Sequence, residues 1–182
     1  IEYNYPERVD LPGYKPTYKG HELQIKKAAE AINNAERPLL YVGGGAIIAD
    51  ASDEIRKLVD KAKIPITTTL MALGIYPEDK PLSLGMLGMH GTRYANYATG
   101  RTDLLIAVGA RFDDRVTGEL ESYATKAKVI HIDIDPAEIS KNVEVDIPIV
   151  GDVKDVLQEL IPQVKEGEEN EWIEQLQEGK KE

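Results

Sequence analysis

Apolar and polar positions change their period several times along this chain. Ile25, Ala28, Ala29 and Ile32 form one stripe at helical spacing in a segment that begins near His21 and stops at Asn33-Asn34 and Pro38. Pro38-Leu39-Leu40-Tyr41-Val42 is apolar throughout and predicts a strand, followed by Gly43-Gly44-Gly45. A helix is expected from about Asp50, with Ile55, Leu58, Val59 and Ala62 on one face. Ile64 to Thr69 is short and rich in β-branched residues, which predicts another strand. Gly74 to Gly91 reads as loop with a short strand, and Thr92 to Thr99 as a short helix. Strands follow at Leu104 to Val108, Lys128 to Asp135 and Pro148 to Val150. Val153, Val156, Leu157, Leu160 and Ile161 make a closing amphipathic helix.

Strands that alternate with helices, most of them apolar on both faces, imply a parallel sheet covered on both sides. The expected class is α/β: a three-layer, Rossmann-like, doubly wound, mostly parallel sheet of about six strands. Its domain occupies residues 21–164. Residues 1–20 carry Pro6, Pro12, Gly13, Pro16 and Gly20 among four tyrosines, keep no period, and read as an extended linker. Residues 165–182 read as an acidic tail, helical or frayed, anchored by Trp172, Ile173 and Leu176. An exposed tryptophan there predicts a partner such as another domain.

Composition narrows the function. The chain has 182 residues, fits one domain plus tails, and contains no cysteine, so a disulfide framework and a thiolate metal site are excluded. That suits a reducing cytosol, and the expected compartment is cytoplasmic. The net charge is −10, and half of it comes from the seven glutamates and two lysines after Lys165. This balance argues against a nucleic-acid surface. No apolar run is long enough for a membrane span, and Ile1-Glu2-Tyr3-Asn4 does not begin a signal peptide. The missing initiator methionine points to a fragment or a trimmed product.

The densest candidate chemistry follows the strand at Leu104 to Val108. Gly109-Ala110-Arg111-Phe112-Asp113-Asp114-Arg115-Val116-Thr117-Gly118 puts two arginines and two aspartates where open α/β sheets bind ligands, beyond the carboxyl ends of the strands. A solvated loop whose charges pair with one another is the equal alternative. Asp113 and Asp114 could hold Mg2+, but Arg111 and Arg115 neutralise them, and no metal site is assigned. Gly43, Gly44 and Gly45 lie between a strand and a helix, where backbone N–H groups could approach a phosphate. They match neither G-x-G-x-x-G nor a P-loop, and the local sequence favours a tight turn. Leu87-Gly88-Met89-His90-Gly91 sets a thioether and an imidazole between glycines, either beside a flat ring system or as a surface loop. Asp133 could accept from a ribose hydroxyl, or Asp133 or Asp135 could cap the turn at Pro136. For Asp152 an N-cap is the favoured role. No catalytic elbow, zinc helix motif or nucleophilic cysteine is present.

Taken together and in order, Tyr41-Val42-Gly43-Gly44-Gly45, Thr68 to Gly74, Gly85 to Gly91 and Gly109 to Gly118 resemble the central domain of acetohydroxyacid synthase (acetolactate synthase) catalytic subunits, over residues 15–162. The resemblance implies a piece of an enzyme that uses thiamine diphosphate and Mg2+ to condense pyruvate with a second 2-ketoacid in branched-chain amino-acid synthesis. In that family the central domain carries FAD in a structural role, and the thiamine sites lie between the flanking N- and C-terminal domains at a dimer interface. The chain has neither the upstream glutamate region nor a downstream Gly-Asp-Gly run, so alone it should bind no thiamine diphosphate and catalyse nothing. The resemblance further implies a homodimer or homotetramer with a regulatory small subunit.

Carried over residue by residue, it puts Gly43, Gly44 and Gly45 near the ribityl–phosphate region of FAD. Thr69, Leu70 and Met71 would line the flavin with Leu87, Gly88, Met89 and His90. Gly109, Ala110 and Arg111 would approach the pyrophosphate, where a guanidinium suits phosphate oxygens, and Asp113, Arg115 and Val116 would continue that wall. Asp133 and Ile134 would lie near the adenosine, with Asp152 and Val153 near the adenine edge. Lys15, Met89, Asp114 and Arg115 resemble positions along a channel to the active site. The competing readings are another thiamine enzyme's central domain, glyoxylate carboligase or pyruvate oxidase-like, and a cofactor-free scaffold.

Overall fold

The computed structural model describes residues 15–180 without a break and, before them, residues 2, 4, 6, 7, 11 and 13. The linker expected over 1–20 and the tail expected over 165–182 are thus covered in part. Ile1, Tyr3, Tyr5, Arg8, Val9, Asp10, Pro12, Tyr14, Lys181 and Glu182 lie outside the described residues.

Six strands form one sheet: β1 (Pro38–Val42), β2 (Ile66–Thr68), β3 (Ser83–Met86), β4 (Leu104–Val108), β5 (Lys128–Asp133) and β6 (Ile147–Val150). Their order is β3-β2-β1-β4-β5-β6, and every pairing is parallel. Two long central strands explain the arrangement. All five residues of β1 and all five of β4 are buried, which only a sheet covered on both faces allows. Side chains alternate between faces. Leu40, Val42, Ile106 and Val108 point into a layer closed by α1 (Glu22–Asn34), α3 (Ser52–Ala62) and α6 (Val153–Leu160). Leu39, Tyr41, Leu105 and Ala107 point into the opposite layer, with Ala95 and Ala98 of α4 (Arg93–Arg101) and Trp172 and Leu176 of α7 (Glu171–Gly179).

Helix ends follow their local chemistry. The Thr92 hydroxyl caps α4 by accepting from the Ala95 N–H at 3.1 Å, while donating to the Leu84 carbonyl at 2.8 Å. Asp152 caps α6 by accepting from the N–H groups of Lys154 and Asp155 at 2.9 and 3.2 Å. Lys63 ends α3 in the left-handed region.

The helix expected from about Asp50 forms as α3, with Ile55, Leu58 and Val59 buried. A further short helix that the sequence did not announce, α2 (Gly44–Ile48), precedes it with Gly43 as its N-cap. Two expectations are corrected. Part of the loop after β4 is helical, as α5 (Asp114–Thr117). Trp172 is not exposed. It is buried in this chain's own second layer, and its indole N–H donates to the Pro38 carbonyl at 3.2 Å. Helix α7 therefore packs on the sheet, with Asn170 as its cap.

Candidate functional site

Because all six strands run parallel, their carboxyl ends share one edge. Strand order reverses direction between β1 and β4, and such a switch point opens the crevice where α/β sheets bind ligands. The turns after β1 and β4 meet there. The Gly43 N–H donates to the Val108 carbonyl at 3.0 Å, and the Gly45 N–H to the Gly109 carbonyl at 2.9 Å. Glycine is needed for this approach. A Cβ on Gly43 would overlap the Gly109 carbonyl oxygen, and one on Gly45 would stand 2.8 Å from the Gly109 Cα. Gly109 itself has φ +54°, and a Cβ there would stand 2.6 Å from the Ala46 nitrogen. The tight-turn role of the triple glycine is thus realised, and two of its three N–H groups are spent inside the protein. Helix α2 has only five residues, too few for its dipole to add much.

Beside this joint lies a groove of about 700 Å³, within the usual range for small-molecule sites. The sequence prediction is well represented in its lining. Thr69, Leu70 and Met71 come from the turn after β2, Leu87 and His90 from the loop after β3, and Asp113, Asp114, Arg115 and Val116 from the start of α5. Met86, at the end of β3, also lines it and was not anticipated. Gly88 and Met89 sit at its rim. The Met89 N–H donates to the Arg115 carbonyl at 2.8 Å, and Gly88, at φ +90°, lies against the backbone of Arg115 and Val116. Asn96 of α4 holds Gly88 from both sides, accepting from its N–H at 2.8 Å and donating to its carbonyl at 3.0 Å.

Leu70, Met71 and Met89 are 68%, 74% and 73% exposed, an apolar cluster of the kind that marks a binding surface. The buried hydroxyls of Thr68 and Thr69 have no hydrogen-bond partner among the described residues. The charges at the groove wall pair only partly: Arg111 reaches Asp113 at 3.4 Å, with both side chains more than half exposed.

Other predicted residues fall elsewhere. Gly109, Ala110 and Arg111 belong to the β1–β4 joint. Asp133 ends β5 half-buried, accepts from the Asp135 N–H at 2.9 Å, and is held above the usual carboxylate range by burial. Ile134 follows it, 38% exposed. Asp152 serves as the cap of α6, and Val153 points into the core. Lys15 is exposed in the extended segment before α1 and does not line the groove.

Sequence reasoning missed the residues that support the loop after β4. Tyr41 donates its hydroxyl to the Arg111 carbonyl at 3.0 Å. Asn142 donates to the Phe112 carbonyl at 2.8 Å, and His131 meets the Ala110 carbonyl at 2.8 Å. The Phe112 ring packs edge-on against His131 and Tyr123 and tilted against Tyr41. A tyrosine in one buried strand and a histidine in another were the only signals in the sequence. Burial lowers the His131 pKa and raises that of Tyr41, so both rings stay neutral near pH 7.

The family model for the thiamine pyrophosphate enzyme central domain matches residues 25–160. The chain belongs to that family. The match to this central domain covers all six strands, from β1 to β6. Among curated proteins, a probable acetolactate synthase large subunit of Methanocaldococcus jannaschii is 56% identical over 185 residues, covering 99% of the central-domain chain and 31% of that protein. An acetolactate synthase of Mycobacterium bovis is 55% identical over 163 residues, covering 90% and 26% respectively. An acetolactate synthase large subunit of Corynebacterium glutamicum is 50% identical over 181 residues, covering 97% and 29%. The chain spans about a third of the length of the curated relatives it matches.

Proposed function

We propose that this chain is the FAD-binding, structural central domain of an acetolactate synthase catalytic subunit. The reading rests on one observation: an apolar-floored groove of about 700 Å³ beside the switch point, lined by the turns after β2 and β3 and by α5. Thr69, whose hydroxyl has no hydrogen-bond partner among the described residues, lines it among apolar side chains, a combination that suits a ligand with polar edges on a flat apolar body. In the ketoacid condensation FAD would supply no redox step and would act as a ligand that fixes the groove. Leu70, Met71, Leu87 and Met89 would cover its ring, and His90 and Thr69 would meet polar edges. Arg111 and Arg115 would face phosphate oxygens, with Gly109 and Ala110 giving close backbone approach. Asp133 and Ile134 would lie toward the adenosine, with Asp152 at its far edge.

The condensation itself would belong to thiamine diphosphate and Mg2+ held by flanking domains of the same subunit, in a cytoplasmic homodimer or homotetramer joined by a regulatory small subunit. Lys15, Met89, Asp114 and Arg115 would border the channel toward that site. This chain alone would then be catalytically inactive. Identities of 50–56% to acetolactate synthases support this reading over a glyoxylate carboligase or a pyruvate oxidase-like enzyme.

The test is titration of the chain with FAD, followed by its visible spectrum and by thermal melting. The expected outcome is a perturbed flavin band and a melting temperature raised by about 5–10 °C at a hundredfold excess over Kd, from roughly 2.7 kcal/mol of linkage. An unperturbed spectrum and an unmoved melting temperature at saturating FAD would favour the cofactor-free scaffold.

A further inference from the structure

Three successive carbonyls after β4 are each held by a side chain from elsewhere in the fold. Ala110 is met by His131 of β5, Arg111 by Tyr41 of β1, and Phe112 by Asn142 of the segment before β6. A carbonyl oxygen only accepts, so His131 Nε2 carries the proton and donates. These three side chains leave the groove free: none of them lines it.

A trans peptide unit points its C=O and its N–H in opposite directions. Fixing the carbonyls of Ala110, Arg111 and Phe112 therefore also fixes the N–H groups of Arg111, Phe112 and Asp113, each aimed away from its clamp. Among the described residues none of these three N–H groups has an acceptor, whereas the Gly109 N–H just before them donates to the Ile132 carbonyl at 2.8 Å. Phe112 locks the stretch further, since its ring is buried between Tyr41, Tyr123 and His131. Free donors on a rigid backbone beside two arginines suit an anion of phosphate type, which recruits backbone N–H groups most effectively when they need no reorganisation.

We propose that Tyr41, His131 and Asn142 are positioning residues that hold the peptide N–H groups of Arg111, Phe112 and Asp113 ready for the phosphate oxygens of the bound ligand. The inference rests on the FAD reading above for the identity of the ligand. It assigns to the buried side of the loop the task of setting affinity on its exposed side.

The test uses Tyr41→Phe and Asn142→Ala, singly and together. Tyr41→Phe keeps the ring that packs on Phe112 and removes only the donor. Kd for FAD is read by quenching of flavin fluorescence. The amide signals of Arg111, Phe112 and Asp113 are followed in proton–nitrogen correlation spectra, while FAD and, separately, inorganic pyrophosphate are added. In the unmodified chain those three amides shift with either probe. Each variant raises the FAD Kd about three- to tenfold, the scale of one hydrogen bond, and blunts these shifts, while spectra away from the loop stay unchanged. A double variant that folds and binds within about twofold of the unmodified chain overturns the proposal and leaves the FAD reading intact. Failure of the unmodified chain to bind FAD sinks that reading instead. Pyrophosphate then decides the clamp: shifts at the three amides that the variants lose sustain it, and absence of shifts overturns it. If the double variant fails to fold, the single variants are judged by the same criteria.

Discussion

At the scale of the residue, the glycines of this chain divide by what a methyl group would meet. Gly109 combines a positive φ with a Cβ position 2.6 Å from the Ala46 nitrogen. Gly109→Ala is expected to cost at least ~2 kcal/mol, because the left-handed backbone and the overlap add. Gly100 sits exposed inside α4 with nothing within 4 Å of its Cβ position. Gly100→Ala should stabilise by about 0.5–1 kcal/mol through helix propensity. Denaturant melts of the two variants check the pair: equal effects would mean that the β1–β4 joint is slack. Little of this was legible beforehand. The triple glycine announces a close approach, but not that Gly109, in a different turn, is what it approaches. The same limit hid Asn96, which holds Gly88 from an adjacent helix that sequence periodicity presents only as a short amphipathic segment.

Among the elements, α7 differs most from its expectation. Seen as sequence, it is an acidic stretch with three apolar residues, too weak a stripe to place. In the fold, Trp172 and Leu176 complete a layer that β1 and β4 leave open on the side away from α1. Lys180 continues the attachment by donating to the Ser83 carbonyl at 2.6 Å. Trp172→Ala should cost about 3–5 kcal/mol, as truncation of a buried aromatic does. A loss under about 1 kcal/mol in urea melts would show that α7 rides on the surface instead. Asp152 is the opposite case. Its capping role followed from a polar residue just before an apolar stripe, and the structure realises it through two N–H contacts. Strands were easiest, since β1 and β4 are buried on both faces and appear as unbroken apolar runs. The boundaries of α2 and α5 were not visible, because neither short helix carries a stripe of its own.

For the whole molecule, fold class follows from the alternation of these strands with helices, and the ligand edge follows from their common direction. Which residues meet across that edge depends on strand order, which the sequence does not spell out. Stability as a function of pH also belongs to this scale. Burial pushes the His131 pKa below its ordinary value of 6.5, against the opposing pull of Asp133, the Ala110 carbonyl and Glu138. The unfolded chain then binds a proton that the folded chain refuses. The contribution is fully present above pH 6.5 and is lost as the pH falls below it. Melting temperature is expected to decline from about pH 7 to pH 5, and His131→Gln should flatten the decline. An equally steep decline in that variant would assign it to other groups.

The indole of Trp172 reaches back to Pro38 across 134 residues of chain. A ribosome adds about 5–20 residues per second, so roughly 7–27 s of synthesis separate the first strand from the helix that covers it. During that time Leu39 and Tyr41 have emerged while Trp172 and Leu176, which complete the layer over them, have not been made. Contacts this distant also slow folding after release. The second layer is therefore completed late, and the exposure of its apolar face to other chains is set by translation time as well as by the stability of the finished fold.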